Sequence, residues 1–372
     1  MSADPARVLH VLEALEGGTA RHLVDITRHV NGYEHHVVIP TRRVGGETDE
    51  QANGKLRAAG AVVHVVELRR SPLRTRNVLG LIEVRRLIRK TRPAIVHAHS
   101  SIGGAVGRVA ALGTGATRIY TPQGLATNRA AFAIERALGK VTDHIVTASP
   151  SEAKAAIDGR LAPPDRVAMI PNGIELEEPQ VGVDLRATLQ IPLGAPIVGT
   201  IARLVPQKAP EEFVRACAVV AAERADAHFV LIGAGPLLEL LQVEVRRAAL
   251  GDRFHHVPGL PGAAGVLAQF DVFALSSRFE GAAYAPLEAM RAGTPVVLTD
   301  VVGSHDTVVH GESGVLVPPG DASALGRAIV DLLADPDARR QMGEAGRVRV
   351  RTEFDVREMA AALAALYATA IR

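Results

Sequence analysis

The chain has 372 residues, 47% apolar and 22% charged, with a formal net charge of +2. Those values exclude a disordered or fibrous protein, and the length exceeds one ordinary core, so two domains are expected. Aromatic content of 3% with no Trp argues against a nucleic-acid partner held by base stacking, and the single Cys217 excludes an internal disulfide or thiolate metal cluster, as in a cytoplasmic protein.

Residues 7–12 (RVLHVL) predict a first strand. Asp4, Arg7 and Glu13 lie in or beside it, so the N-terminus lacks the apolar core of a signal peptide. Gly17-Gly18-Thr19 follows, then a helical stretch over 20–30. Strand, glycine turn and helix make either a ligand loop or a plain tight turn. Further strands are expected at 35–40 and 61–66. Then comes a basic run: Arg69, Arg70, Arg74, Arg76, Arg85, Arg86, Arg89 and Lys90. Residues 1–170 hold 24 Lys+Arg against 15 Asp+Glu, a charge of +9, and the remainder holds 18 against 25, or −7. Such a run is either a solvated face or a contact for anionic lipid headgroups or an acceptor phosphate.

Residues 93–100 (PAIVHAHS) predict a strand entering a loop. His97 and His99, two apart, share one strand face. They lack nearby acidic or Cys ligands, so no zinc site is expected. His99 stands at the strand's C-terminal end, where α/β sheets bind ligands. A helix over 103–112 packs closely on the sheet, and strands follow at 118–121, 144–148 and 166–170. The loop after the first of these carries Gln123, and Ser149 or Ser151 caps a helix after the second. Pro171-Asn172-Gly173 is a turn, and the Pro- and Gly-rich residues 178–196 read as an inter-domain linker.

The alternation restarts with a strand at 197–202. Arg203 and Lys208 flank a short loop ahead of a helix. There they hold a diphosphate, Arg as a fork and Lys as a point charge, or they are two exposed cations at a corner. A strand at 229–232 ends in the tight turn Gly233-Ala234-Gly235-Pro236. Next come a strand at 271–275, a polar loop at 276–281, a helix with Pro286 in its first turn and Gly293 at its end, and a strand at 296–299. Glu280 on the loop and Glu288 at the helix start have seven residues between them. A loop feeding a helix start presents free N–H groups and partial positive charge, which attract phosphate. The two carboxylates either accept hydrogen bonds from sugar hydroxyls beside a phosphate, or merely stabilise the helix and face solvent. Gly303 begins another loop at a strand's C-terminal end. No uncharged apolar run approaches membrane-spanning length; residues 359–371 come nearest and read as a docked terminal helix. The pattern predicts an α/β protein of two doubly wound domains facing a central cleft.

Several of these motifs resemble one family. EGAAYAPLEAMRAGTPVV resembles the Glu-x7-Glu signature of family 4 retaining glycosyltransferases, as do ARLVPQK, IPNGI, the GAGP turn and HGESGVLVPPGD. PAIVHAHS, SIGG, AVGRVAA and IYTPQGLA resemble the first domain of bacterial polysaccharide and lipid-carrier glycosyltransferases, and LEALEGGTARHL resembles their acceptor-side glycine loop. The match runs in order over residues 7–345.

The resemblance implies a GT-B fold of two Rossmann-like domains. Residues 1–172 would bind the acceptor and residues 173–354 the nucleotide sugar, with a C-terminal helix, 355–372, crossing back to the first domain. It implies transfer of a hexosyl group, with retention, from a nucleoside-diphosphate sugar (a UDP-sugar foremost) to a glycan, lipid-linked or small-molecule hydroxyl. Arg203 and Lys208 would hold the diphosphate and stabilise its departure. Gly233, Gly235, Gly281, Ala282, Ala283 and Tyr284 would line the donor, Glu280 would contact the sugar hydroxyls, and Glu288 the ribose. His99 would approach the sugar from the first domain, and Gly17, Gly18, Thr19 and Gln123 would form the acceptor side. No metal or other cofactor is implied. A homodimer and a peripheral place on the inner membrane face stay open.

The chain departs from the family where Gly281-Ala282-Ala283-Tyr284 stands for Gly-Phe-Gly after the first Glu. Gln123 replaces a frequent His, Ile102 a Lys, and His305-Asp306 a Pro-Glu. Two rivals remain at this point: a sugar-nucleotide epimerase of the same fold and a two-lobed binding protein without catalysis. A dehydrogenase is disfavoured, since no G-x-G-x-x-G with a downstream acid occurs.

Overall fold

The computed structural model describes residues 4–40, 42–43, 46–47, 50–69, 75–125, 129–179 and 182–371. Arg70 and Arg74 of the basic run lie outside the described residues. The chain divides into two compact units, Met1–Gly173 with Val356–Arg372, and Ile174–Asp355.

The first unit is built on seven strands: β1 (Ala6–Val11), β2 (Tyr33–Ile39), β3 (Val62–Val65), β4 (Ile95–His99), β5 (Thr117–Thr121), β6 (His144–Thr147) and β7 (Val167–Met169). They pair in parallel in the order β3-β2-β1-β4-β5-β6-β7. Parallel strands carry crossover helices on both faces, so their central strands are buried on both sides. β4 shows this: all five of its residues are buried, both histidines included. Buried histidines survive only if their ring nitrogens find partners, and here most do. Helix Ser101–Ala110 lies close on the sheet because it is rich in glycine; a Cβ on Gly103 would sit 2.5 Å from the Leu12 Cα.

The second unit has six strands: β8 (Ile197–Ile201), β9 (His228–Ile232), β10 (Phe254–Val257), β11 (Val272–Leu275), β12 (Val296–Thr299) and β13 (Val315–Val317). Their order is β10-β9-β8-β11-β12-β13, again all parallel. β10 and β13 are the edges of this sheet, short and absent from the sequence expectations.

Two expectations are corrected. Residues 178–196 are not a linker. They contain helix Leu185–Leu189, capped by Asp184, and bury Leu185, Ile191 and Ala195 in the second core beside Phe270 and Phe273. Gly17-Gly18-Thr19 is not a turn ahead of a helix but the first turn of helix Gly17–His29, entered from an extended Glu16 through a Gly17 with φ +51°. The last two helices part company. Helix Pro336–Glu353 stays with the second unit, and helix Val356–Ala370 belongs to the first. Met359, Leu363 and Tyr367 are buried there against Val8, Ile95 and Ile119. The Tyr367 hydroxyl lies 2.6 Å from His97 Nδ1, and Thr117 Oγ1 donates to the Ala370 carbonyl at 2.6 Å.

Candidate functional site

In each sheet the strand order reverses between its first and fourth strands, β1 and β4 in one unit, β8 and β11 in the other. Connections leave such neighbours toward opposite faces, so the carboxyl ends open a crevice at that switch point. The sequence-predicted residues fall largely on the loops that leave these four strands.

In the second unit, residues 202–209 follow β8 and residues 276–283 follow β11. Hydrogen bonds join the two loops. Ser276 Oγ reaches the carbonyls of Lys208 and Ala209 at 3.0 and 2.9 Å. The Arg278 amide donates to the Gln207 carbonyl at 2.8 Å, and Gln207 Nε2 donates to the Phe279 carbonyl at 3.1 Å. Arg278 also donates to the Pro206 carbonyl at 2.8 Å and pairs with Glu211 at 2.5 Å. The central contact is Lys208 Nζ to Glu280 Oε1 at 2.5 Å, with side chains only 15% and 5% exposed. Two residues expected to face a ligand thus meet each other. Desolvation of either charge alone is unfavourable, and removing one partner of such a pair costs about 3–5 kcal/mol.

Arg203 sits on the same loop, half-buried. Its backbone is gripped by the GAGP turn: Ala202 N donates to Ile232 O at 3.0 Å and Leu204 N to Ala234 O at 2.9 Å. A Cβ on Gly233 would lie 2.0 Å from the Ala202 carbonyl oxygen, and one on Gly235 2.4 Å from that of Leu204. These glycines therefore hold the Arg203 loop by close backbone approach. Gly303, after β12, approaches the Glu280 loop in the same way, with φ +85° and a Cβ position 2.1 Å from the Gly281 carbonyl oxygen.

Helix Tyr284–Arg291 begins just after Glu280. Its N-cap is Ala283, which has no side-chain oxygen to cap with, and no acid lies in its first turn. Gly281, Ala282 and Ala283 are half-buried, and Glu288 is half-buried in the second turn. The Tyr284 side chain is buried in the core with Leu287 and Phe273, at the first residue of this helix. Ser277, which sequence reasoning missed, lies beside Glu280. Its Oγ is buried with no hydrogen-bond partner among the described residues, and its carbonyl accepts from Thr299 Oγ1 at 2.6 Å.

In the first unit, the loop after β1 carries Glu13 and leads to Gly17, while β4 ends at His99. Glu13, also missed, is buried and caps the helix after β4. It accepts from the Ser100 hydroxyl and from the Gly103 amide, the latter at 2.9 Å. Ser100 has φ +54°, a strained value for a residue with a side chain, and its amide donates to Thr121 O at 3.0 Å. Gln123, after β5, also has positive φ, and its Nε2 is buried without a partner among the described residues. The next amide, Gly124, donates to Glu152 Oε1 at 3.0 Å. Ser149 Oγ accepts from the Glu152 amide at 3.2 Å, which settles which serine caps that helix, and Glu152 Oε2 accepts from the Ala148 amide at 2.8 Å.

Beneath His99 lies a buried group of histidines. His10, His97 and His99 bring ring nitrogens within 4.8 Å of one another. A metal here would compete with existing contacts of the His10 and His97 ring nitrogens. His97 contacts Tyr367 OH and Thr121 Oγ1, and His10 contacts His99 and His35. Burial, then neighbouring histidines, hold the pKa of His10, His97 and His99 well below the usual value. Burial lowers His22 to about 4.

The basic run resolves into separate roles. Arg69 pairs with Glu67 at 3.0 Å, and Arg85 ties down the Ala110 and Leu112 carbonyls at 2.9 and 2.8 Å. Arg76, Arg86, Arg89 and Lys90 are exposed on helix Thr75–Thr91.

Two doubly wound parallel-sheet units are the architecture of the GT-B fold. Solved structures agree on the fold. The Anabaena protein HepE, in complex with UDP and glucose, superposes with a TM-score of 0.84 at 19% identity, over 98% of this chain and 100% of that one. Sucrose-phosphate synthase from Thermosynechococcus elongatus gives 0.83 at 22%, over 98% of each. The family models "Glycosyltransferase Family 4" and "Glycosyl transferases group 1" match residues 16–178 and 184–349. The chain belongs to glycosyltransferase family 4 and is a glycosyltransferase. Among relatives, it is 29% identical to the D-inositol 3-phosphate glycosyltransferase of Thermobispora bispora, over 78% of this chain and 74% of that protein. It is 29% identical to a GDP-mannose-dependent phosphatidylinositol monomannoside mannosyltransferase of Mycolicibacterium smegmatis, over 62% and 63%.

The buried histidines make stability depend on pH. Each is held neutral in the fold, whereas in the unfolded chain it protonates near 6.5. The unfolded state therefore binds more protons as pH falls, and stability that is complete above pH 6.5 is lost progressively below it. His22 alone accounts for on the order of 3 kcal/mol between pH 6.5 and about 4. Urea midpoints should fall steadily from pH 7 to pH 5; a flat profile would contradict the buried, neutral histidines.

Proposed function

We propose that the protein transfers a hexosyl group, with retention of configuration, from a UDP-sugar bound by the second unit to a hydroxyl of an acceptor bound by the first. The observation that carries this is the Lys208–Glu280 pair at the second switch point, with Arg203 on the same loop. Two cations beside a helix start suit a diphosphate, whose charge grows as the sugar departs. A carboxylate held next to them suits sugar hydroxyls, which donate to it. Glu288, one turn into the helix, is assigned to the ribose. Gly233, Gly235 and Gly281 shape the donor loops, and Ala282 and Ala283 leave the sugar's approach open. His99, Gln123 and the helix start at Gly17-Gly18-Thr19 are assigned to the sugar and acceptor side. This reading requires no metal and no further cofactor. UDP is favoured because HepE was solved with UDP and glucose, and the relative named for GDP-mannose makes GDP the competing nucleotide.

Calorimetry with UDP and GDP tests the assignment. Arg203→Ala, and Arg203→Ala with Lys208→Ala, should weaken nucleoside-diphosphate binding by about 1.5–3 kcal/mol per charged contact removed. Equal affinity in parent and variants would remove both residues from the diphosphate. Release of nucleoside diphosphate on turnover separates transfer from epimerisation and from binding alone.

We also propose that the acceptor is reached at an anionic lipid surface. No helix among the described residues is long and apolar enough to cross a membrane. Helix Thr75–Thr91, however, exposes Val78, Leu79 and Ile82 at one end and Arg86, Arg89 and Lys90 at the other, next to exposed Val65. Apolar residues beside cations match an interface of acyl chains and anionic headgroups. The relative named for phosphatidylinositol monomannoside supports the reading. Val78→Ser, Leu79→Ser and Ile82→Ser together, and separately Arg86→Gln, Arg89→Gln and Lys90→Gln, should each reduce sedimentation with phosphatidylglycerol vesicles by about tenfold or more. Unchanged sedimentation would return this helix to a solvated face.

A further inference from the structure

The histidines under the first switch point form a directed chain. His35 Nε2 lies 2.8 Å from the carbonyl oxygen of Val30. That oxygen only accepts, so Nε2 carries the hydrogen. A neutral ring has one N–H, which leaves His35 Nδ1 bare. His10 Nε2 lies 3.1 Å from it and must donate. His10 Nδ1 is then bare in turn, and His99 Nε2, 3.1 Å away, donates to it. The polarity runs one way from a backbone carbonyl to the end of β4. At that end His99 Nδ1 is buried and has no hydrogen-bond partner among the described residues.

We infer that His35 and His10 are positioning residues that lock His99 in its Nε2–H tautomer, so that Nδ1 offers a bare lone pair to a hydroxyl of the sugar or acceptor. The three rings are 6%, 0% and 1% exposed, so water does not compete for these bonds. Burial also holds all three below the usual histidine pKa, which keeps them neutral and the single-hydrogen count valid. His22, edge-on to His99 with ring centroids 6.0 Å apart, is neutral as well and brings no charge to the site. In the opposite tautomer His99 would present an N–H, which selects a ligand oxygen lone pair and not a hydroxyl hydrogen. The relay therefore decides which hydrogen-bond partner the site accepts. An acceptor left unmatched in a buried place is unfavourable, so a ligand hydroxyl that reaches it gains both affinity and orientation. The chain depends on β2, β1 and β4 lying side by side, an order that no single strand reveals.

The choice of hydroxyl as ligand rests on the glycosyltransferase reading; the tautomer does not. Histidine-selective 15N labelling with long-range proton–nitrogen correlation reads the ring nitrogens of the intact protein directly. His35, His10 and His99 should each show a protonated Nε2 and a bare Nδ1 in the absence of any substrate. A protonated Nδ1 on His99, or a charged ring, would overturn the relay whatever the enzyme's activity. His35→Phe removes the acceptor at the relay's base. It should scramble the His10 and His99 tautomers and lower kcat/KM by about 10–100-fold, the range carried by groups that orient a ligand-binding histidine, while leaving UDP affinity unchanged. His35→Gln, whose amide oxygen takes the same hydrogen, should restore most of that loss. Scrambled tautomers with unchanged kcat/KM would refute the functional role. The parent spectrum tests the tautomer even where His35→Phe does not fold.

Discussion

The contact between Lys208 and Glu280 is the constraint on which the second unit's site depends. It joins the loops that leave two neighbouring parallel strands, 72 positions apart in sequence, and both side chains are largely shielded from water. Opposite charges in such a place hold each other because neither is stable there alone. Every nearby hydrogen bond serves the same geometry. Ser276 and Arg278 fasten one loop to the other, and the glycines at 233, 235 and 303 let backbone approach backbone where a Cβ would not fit. The cation is thus placed before any ligand arrives, and little ordering is left for binding to do.

The first unit's switch point is ordered without a comparable ion pair among the described residues. Glu13 caps one helix there, and histidines use one another as partners. Both units thus present polar groups at the carboxyl ends of strands, an ion pair with Arg203 on the same loop in one, a carboxylate and buried neutral histidines in the other. The proposed transfer from a charged leaving group to a hydroxyl makes use of this difference.

Much of this was legible in the sequence, and the reasons are local. Arg203, Lys208, Glu280 and Glu288 stand at strand ends and helix starts, where period and turn residues place them without knowledge of the fold. Pairing was not legible. Lys208 meeting Glu280, or His35 meeting His10 and then His99, depends on which strands are neighbours. Composition also misled. Residues 178–196 are rich in Pro and Gly, yet Leu185, Ile191 and Ala195 at intervals suffice to dock them in a core. Gly17 and Gly18 disfavour helix, but an extended Glu16 and a positive φ at Gly17 start one there. Tyr284 follows the signature glutamate, and the sequence did not reveal that its ring packs in the core.

The most direct test of the donor site is Glu280→Gln. The amide keeps the shape and a neutral oxygen for Lys208 but loses the carboxylate. Calorimetric affinity for UDP should stay within a few-fold of the parent, while transfer from UDP-sugar falls by at least about a hundredfold. Parent-level transfer by this variant would contradict the placement of Glu280 at the sugar.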